Sequence, residues 1–346
     1  MNVLRRRYSI QCAFVLILLV STLALCEVSF RAYDWLTTPH DNLNSDVWIK
    51  NISKELEEHA LLGYRRVPNR IVDEMTQVDT FGMLNVREAL AWQTVDVVGI
   101  GDSYVDLAHK VFFDRFKAYN LKYHSLAVFG YGPANYNVLM NEYGRTLSPK
   151  VYIYSVYLGN DPGDIRRYEN WRATGKGWYE HNGGYVFPIQ RQGLVWGWHL
   201  FLGRAKSFAT RIISRVNAES YAALRGLVKR DDAETVFEYI HQAKTLAEAQ
   251  QAELLVVIVP RTTDHKPLLD SIASKLVGLC AGKGVMILDL DAAFEDAQNR
   301  DALFAADGHW NEAGMHVAWT YLWDTKLRLL LSPTAQYGVA AHGGMK

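Results

Sequence analysis

Cysteine is scarce in this sequence, and its placement excludes two classes of protein. Only three cysteines occur among the 346 residues. Cys12 and Cys26 lie in one apolar run near the N-terminus, about 21 Å apart if that run is helical, which is too far for a disulfide. Cys280 is alone in the rest of the chain, and we expect it to be a small buried side chain. A disulfide-stabilised scaffold and a cysteine-based metal site are therefore excluded.

An excess of charge of either sign is also lacking. The 37 Lys and Arg residues balance the 37 Asp and Glu residues, so the basic surface typical of nucleic-acid-binding proteins is not expected. Hydrophobic residues make up 49% of the chain, which excludes a disordered protein. The glycine patterns of the nucleotide-binding P-loop and of the Gly-x-Ser-x-Gly nucleophile elbow are absent. We predict a folded protein without a nucleic-acid partner.

One long hydrophobic run is present, at the N-terminus. It extends from Ile10 to Cys26 and follows three arginines, Arg5 to Arg7. Its length lies between that of a signal-peptide core and that of a membrane span of about 20 residues. A cleavage site at Ala24-Leu25-Cys26 would be poor. We predict a membrane helix over 8–29, with a cytoplasmic tail over 1–7 and the rest of the chain outside the cytoplasm; a cleaved signal peptide is the alternative.

The segment 95-VDVVGIGDSYVDLAHK-110 has the pattern of a buried strand, a tight turn and a helix. Ser103 ends the turn and is thereby predicted at the carboxyl end of a central strand, where open α/β sheets keep their sites. The helix N-terminus behind it offers free N–H groups to a developing oxyanion. The segment predicts a nucleophilic serine, and a serine that merely caps a helix is the alternative.

Strand and helix patterns alternate from Val95 onward, which predicts an α/β fold. Strands that are apolar almost throughout, such as 254-LLVVIVP-260, are typical of a parallel sheet covered on both faces. We therefore predict a three-layer α/β/α sandwich with a doubly wound parallel sheet. The predicted strands are Val95–Ile100, Tyr123–Phe129, Val151–Tyr157, Leu254–Val259 and Val285–Leu288, and the main predicted helices are Leu107–Ala118, Ala134–Tyr143, Ala233–Gln250 and Leu268–Leu279.

Three further motifs follow the serine in a fixed order, namely 128-VFGYG-132, 158-LGND-161 and 306-ADGHWNEAG-314. Together with 101-GDS-103 they resemble the four blocks of the SGNH (GDSL-type) hydrolase family, named for its Ser, Gly, Asn and His. The resemblance extends from about Val95 to about Trp323. Within this family, the chain resembles membrane-anchored bacterial-type members, and also the polysaccharide acetylesterases and O-acetyltransferases. The resemblance implies a flavodoxin-like strand order.

The resemblance implies a serine mechanism without a metal or organic cofactor. Ser103 would be the nucleophile, His309 the general base, and Asp307 the carboxylate that orients the imidazole. The commonest form of the family places the Asp and the His three apart, whereas Asp307 and His309 are two apart. This spacing resembles membrane-anchored and acetyltransferase-like relatives.

Three groups would donate hydrogen bonds to the oxyanion. They are the N–H of Ser103, the N–H of Gly130 and the side-chain amide of Asn160, with Gly132 as the alternative to Gly130. Asp161 is expected to organise its loop. The candidate substrate contacts in and beside the blocks are Asp102, Gly132, Asp161, Trp171, Trp178 and Trp310. A metal site built from Asp102, Asp161, Asp307 and His309 is an alternative that leaves the serine without a role.

The chain divides by pattern into an N-terminal membrane part, a lead-in, a hydrolase domain and a tail. The lead-in, 30–94, is expected to pack against the hydrolase domain and to contain a short helix over Asn51 to Glu58. Its 63-GYRRVPN-69 stretch also resembles membrane-anchored SGNH members. The hydrolase domain is predicted over 95–330, and 331–346 is the tail.

An insertion over 162–235 separates the Asn block from the fourth strand. Its first part is rich in aromatic residues, including Trp171 and Trp178. Aromatic faces beside a polar crevice are typical of sugar binding. A lid that packs its own small core, or that lies on the membrane, is the alternative.

These patterns predict an extracytoplasmic serine acyl-ester hydrolase of the carbohydrate O-acetylesterase kind, acting through an acyl-enzyme on Ser103. The predicted partner is an acylated saccharide or polysaccharide. An O-acetyltransferase that modifies an exported polysaccharide is one alternative, and a non-catalytic saccharide-binding or assembly protein is another. The sequence does not predict the oligomeric state.

Overall fold

The computed structural model describes residues 55–182, 231–261, 266–305 and 308–332. These residues all belong to one of the two compact units of the chain, which comprises 52–188 and 218–346. The predicted membrane segment, most of the insertion, Asp307 and the tail beyond 332 lie outside the described residues. Within the described ranges, no helix combines the length and the apolar character that crossing a membrane requires.

The described part of the lead-in contains two antiparallel hairpins, the first of which overlaps the end of the short helix predicted over Asn51 to Glu58. Strand β1 (Leu56–His59) pairs with β2 (Gly63–Arg66), and β3 (Thr76–Val78) pairs with β4 (Leu84–Val86). Pairing between Leu56 and Arg66 and the burial of the Leu56 side chain override the helical propensity of this glutamate-rich segment. The helix prediction is wrong for Leu56 to Glu58, whereas Glu55 is helical and 51–54 lie outside the described residues.

The five parallel strands found in the described residues confirm the predicted sheet. They are β5 (Val97–Gly101), β6 (Tyr123–Ala127), β7 (Val151–Val156), β8 (Glu253–Ile258) and β9 (Met286–Asp289). Their order is β6-β5-β7-β8-β9, which is the flavodoxin-like order that the resemblance implies. All five strand predictions begin and end within two residues of the observed bounds, because the strands are largely apolar and mostly buried.

Helices cover both faces of this sheet, as a three-layer sandwich requires. In the part of the chain that the structure describes, the α-helices are α1 (Ser103–Ala118), α2 (Pro133–Leu139), α3 (Arg145–Leu147), α4 (Asp161–Thr174), α5 (Trp178–His181), α6 (Asp232–Ala249), α7 (Lys266–Gly282), α8 (Asp291–Glu295), α9 (Glu312–Leu322) and α10 (Arg328–Leu331). Short 3-10 helices span Arg87–Ala91 and Arg300–Leu303, and π-helical turns span Met140–Gly144 and Trp323–Leu327.

Two hydrophobic cores form because alternate strand residues point to opposite faces. On β5, Val97 belongs to the core that contains the apolar side chains of α1 and α9. Its neighbour Val98 belongs to the other core, which contains those of α2, α6 and α7. The helices on both faces of the sheet thus pack against β5. The last residue of β5 directly precedes the turn that contains Asp102 and Ser103.

The lead-in also protects the edge of the sheet at β6. The Asn85 side chain accepts a hydrogen bond from Ser125 N (2.8 Å) and donates one to Ser125 O (3.0 Å). It therefore takes the place of a neighbouring strand at an otherwise open edge. Beside it, His124 Nε2 donates to Asp79 Oδ2 at 2.8 Å, and both side chains are buried.

Candidate active site

Ser103 lies in the first turn of α1, directly after the central strand β5. Asp102 is the N-cap of this helix, and its carboxylate accepts a hydrogen bond from Tyr104 N at 3.0 Å. Gly101 lets α1 approach the strand, because a Cβ there would lie 2.5 Å from Val105 Cγ2. The Ser103 N–H is one of the first-turn amides that have no acceptor within the helix, so it is available to a ligand in the crevice.

His309 approaches the serine from a loop between the 3-10 helix and α9. Its Nε2 lies 2.8 Å from Ser103 Oγ, although 206 positions separate the two residues. This is hydrogen-bonding distance for proton transfer from a serine hydroxyl to an imidazole. The structure brings together the two residues that the sequence predicts to be nucleophile and base.

Tyr104 fixes the loop that carries His309. The Tyr104 hydroxyl donates to Gly308 O at 3.0 Å, and its ring lies 4.9 Å from the imidazole, centroid to centroid. Trp310 Nε1 donates to Tyr104 O at 3.0 Å, and Trp310 is buried. Trp310 is therefore a packing residue, and its prediction as a substrate contact is wrong because its ring is enclosed by the core of α1 and α9.

Asp307 lies outside the described residues. Its role as the carboxylate that orients His309 stays a prediction. Sequence reasoning did not identify Tyr104 as a support of this loop. The available signal was its position, because the residue after the serine belongs to the same helical turn and can reach the same crevice.

The second block forms a turn in which Gly130 has a left-handed conformation, with φ of 72°. That conformation favours glycine over residues with a Cβ. Gly132, by contrast, is buried and its N–H is directed at Asn135 Oδ1, 3.4 Å away. A Cβ on Gly132 would lie 2.8 Å from the Asp164 Cβ. Gly132 thus serves close packing, and its prediction as a substrate contact is wrong.

Asn160 links the third block to the first. Its Nδ2 donates to Asp102 Oδ2 at 3.1 Å. A side-chain amide carries two N–H donors, so one remains for the crevice, to which Asn160 is partly exposed. Burial raises the pKa of Asp102, while hydrogen bonds from Tyr104 and Asn160 and the nearby His309 act in the opposite sense. Asp102 is 1% exposed, so it orients Asn160 and cannot be the substrate contact that was predicted.

Asp161 is enclosed by the protein. It accepts hydrogen bonds from Tyr157 N at 2.9 Å and from the Tyr136 hydroxyl at 3.1 Å. Burial raises its pKa well above the usual range, and the charges of Asp102 and Asp164 act in the same direction. Asp161 organises the loop that carries Asn160. Its prediction as a substrate contact is wrong, since no part of the side chain reaches solvent.

Trp171 and Trp178 are also core residues. They are 2% and 3% exposed, and their rings meet edge to face at 5.2 Å. Trp178 packs on Tyr64 of the lead-in, with ring centroids 5.5 Å apart, and Trp171 Nε1 donates to Lys176 O at 3.0 Å. The prediction that these two residues bind sugar is wrong, because both aromatic faces are covered. Both tryptophans belong to the same hydrophobic core as Tyr64 of the lead-in and Val98 of β5.

Within the described ranges, no group of three or more His, Cys, Asp or Glu side chains has the arrangement of a metal site. Asp307, one member of the alternative metal set, lies outside those ranges.

No family model and no curated protein matches the chain. Solved structures do match it at low identity. A GDSL-like lipase from Bacteroides thetaiotaomicron is 12% identical, with a TM-score of 0.40, and the match covers 68% of this chain and 92% of the lipase. A family 3 carbohydrate esterase from Clostridium thermocellum is 12% identical, also with a TM-score of 0.40, over 68% of this chain and 97% of the esterase. A function for this chain is accordingly inferred from its own side chains.

Proposed function

We propose that this chain is a serine acyl-ester hydrolase of the SGNH type. The single observation that carries the proposal is the 2.8 Å distance between Ser103 Oγ and His309 Nε2. The four sequence blocks support it, because Ser103, Asn160 and His309 converge although the chain separates them by up to 206 positions. A serine that only caps its helix would need no imidazole on its hydroxyl.

In the proposed reaction, Ser103 Oγ attacks the ester carbonyl while its proton passes to His309 Nε2. The carbonyl oxygen becomes an oxyanion, which accepts hydrogen bonds from the N–H groups of Ser103 and Gly130 and from Asn160. The bond to the alcohol then breaks, and His309 returns the proton to the departing oxygen. Water attacks the acyl-serine by the same route, again with His309 as base. Asp307 is proposed to orient and stabilise the imidazolium.

The proposed substrate is an acetyl ester carried by a saccharide. Support for this part is the zero net charge of the chain, which gives no electrostatic preference for a strongly anionic polymer. Since Trp171 and Trp178 are buried, sugar recognition is not assigned to them. An O-acetyltransferase would use the same acyl-enzyme and differ only in the acceptor that attacks it.

Turnover of a chromogenic acetyl ester distinguishes these activities. We expect the purified chain to hydrolyse the ester, and addition of an oligosaccharide acceptor to leave product release unchanged if water is the natural acceptor. Acceptor-dependent acetylation, measured by mass spectrometry of the oligosaccharide, would instead identify a transferase. The Ser103→Ala variant is the control, and equal ester turnover by both proteins would contradict a serine mechanism.

We further propose that the catalytic domain functions outside the cytoplasm, attached by the N-terminal helix over 8–29. The support is Arg5 to Arg7 before the apolar run, which favours retention of the N-terminus in the cytoplasm. A reporter active only outside the cytoplasm, fused after Lys346, is expected to be active and to sediment with membranes. A soluble mature protein that begins near Glu27 would contradict the membrane anchor, and only the proposal that the protein is exported would remain.

A further inference from the structure

Two carbonyl groups in the turn that carries Gly130 accept hydrogen bonds from side chains of other elements. The Tyr64 hydroxyl donates to Phe129 O at 2.8 Å, and an Arg167 Nη donates to Gly130 O at 3.1 Å. Tyr64 belongs to β2 of the lead-in and Arg167 to α4. One element that precedes the turn in the chain and one that follows it thus determine the orientation of the turn.

The bond to Phe129 O also determines where the Gly130 N–H points. The two groups belong to the same planar trans peptide, in which the C=O and the N–H point in opposite directions. Because Tyr64 draws the C=O toward the lead-in, the N–H is directed away from it. No acceptor for the Gly130 N–H occurs among the described residues, which leaves this donor free for a ligand.

Tyr64 is itself rigidly placed. It is 3% exposed, its carbonyl accepts a hydrogen bond from the Tyr131 hydroxyl, and its ring lies 5.3 Å from that of Tyr131. Burial raises the pKa of its hydroxyl, so the group remains a protonated donor. Two positions along, Arg66 pairs with Asp106 of α1 at 2.5 Å, with both side chains buried. The hairpin is therefore attached to the helix that carries Ser103 as well as to the Gly130 turn.

Arg167 completes the arrangement from the other side. It forms an ion pair with Asp164, whose pKa burial raises to about 7 against the opposing effect of the Arg167 charge. Its side chain is 38% exposed, so it is less strongly fixed than Tyr64. Removal of Tyr64 would release the peptide that carries the Gly130 N–H, and removal of Arg167 would release the next peptide, between Gly130 and Tyr131.

We propose that Tyr64 and Arg167 are positioning residues that orient the Gly130 N–H toward the reacting carbonyl oxygen. The lead-in hairpin is then a component of the active site rather than a spacer before it. This inference rests on the proposed function, since it gives the Gly130 N–H its role in the oxyanion site. Neither residue touches the reacting atoms.

Tyr64→Phe tests the inference, because it removes one hydroxyl and keeps the buried ring. We expect kcat on the chromogenic acetyl ester to fall about tenfold, since complete loss of an oxyanion donor costs about 100- to 1000-fold and a misdirected donor costs part of that. KM is expected to change by less than about twofold. The inhibition constant of phenylboronic acid, whose serine adduct mimics the oxyanion, is expected to rise by the same factor as kcat falls.

Tyr152→Phe is the matched control. Tyr152 is equally buried, and its hydroxyl donates to Gln250 at 2.5 Å, near the amino end of β7. Both variants lose one buried hydroxyl, so a purely structural role for Tyr64 would give them similar melting temperatures and similar, near wild-type kcat. That result would overturn the inference.

Arg167 offers a graded version of the same test. Arg167→Lys keeps one cationic donor and is expected to retain most of the kcat, whereas Arg167→Met is expected to lose about as much as Tyr64→Phe. If Ser103→Ala abolishes turnover while Tyr64→Phe and Arg167→Met match the wild type, the inference fails and the proposed function stands. If Ser103→Ala retains turnover, the proposed function is wrong, and the inference that rests on it is wrong as well.

Discussion

Replacement of Ser103 by alanine is expected to lower kcat on a chromogenic acetyl ester by about 10⁴-fold or more. The variant lacks the hydroxyl oxygen that lies 2.8 Å from His309 Nε2, so neither the acyl-enzyme nor the proton transfer to the imidazole can occur. His309→Ala is expected to cost almost as much, because the hydroxyl is a weak nucleophile without its base. The double variant is expected to be little worse than either single variant.

Steady-state kinetics with active-site titration measures this prediction. Ser271→Ala is a suitable control, since Ser271 is exposed on α7, and it should retain full activity. The melting temperatures of all variants should lie close together, because the Ser103 hydroxyl contributes little burial. If the losses of kcat in the two single variants add up in the double variant, Ser103 and His309 do not act as a unit. Near-full turnover by Ser103→Ala would contradict the proposed mechanism.

The strands and the proximity of Ser103 and His309 could be predicted from the sequence because both depend on local patterns. A parallel strand covered on both faces is an uninterrupted apolar run, and 254-LLVVIVP-260 or the residues before Gly101 show this directly. Each motif follows such a run. Since the carboxyl ends of parallel strands meet at one edge of the sheet, Ser103 and Asn160 had to be neighbours once the strands were known.

The supporting residues could not be predicted in the same way, because their contacts join distant parts of the chain. The hydrogen bond from Tyr64 to Phe129 O spans 65 positions and the one from Arg172 to Ala60 O spans 112. Neither has a sequence spacing that identifies it. The lead-in strands were missed for the same reason, since β1 is a strand through its pairing with β2.

The aromatic insertion shows where composition misleads. A tryptophan is equally suited to a sugar surface and to a core, and only its neighbours decide. Gly63 supplies the deciding contact here, because a Cβ on that residue would lie 2.5 Å from Trp178 Cε3. The lead-in glycine and the insertion tryptophan therefore fit together as one packed unit.

Trp178→Ala is accordingly expected to destabilise the protein by about 3–5 kcal/mol, the usual cost of truncating a large buried aromatic side chain. The cavity would open against Trp171 and Tyr64, whose rings lie 5.2 and 5.5 Å from that of Trp178. Thermal or urea unfolding measures the loss. Tyr179→Ala is the matched control at the next position, where the side chain is 49% exposed and the change should stay within about 0.5 kcal/mol.

Kinetics on the same variant separates packing from substrate binding. Because the indole of Trp178 is 3% exposed, it cannot contact a polymer, so any fall in activity should affect a small chromogenic ester and an acetylated polysaccharide by the same factor. That factor should follow the fraction of folded protein, and assays well below the melting temperature should reduce it. A Trp178→Ala protein of wild-type stability with a higher KM for the polysaccharide alone would instead place the indole in the binding site.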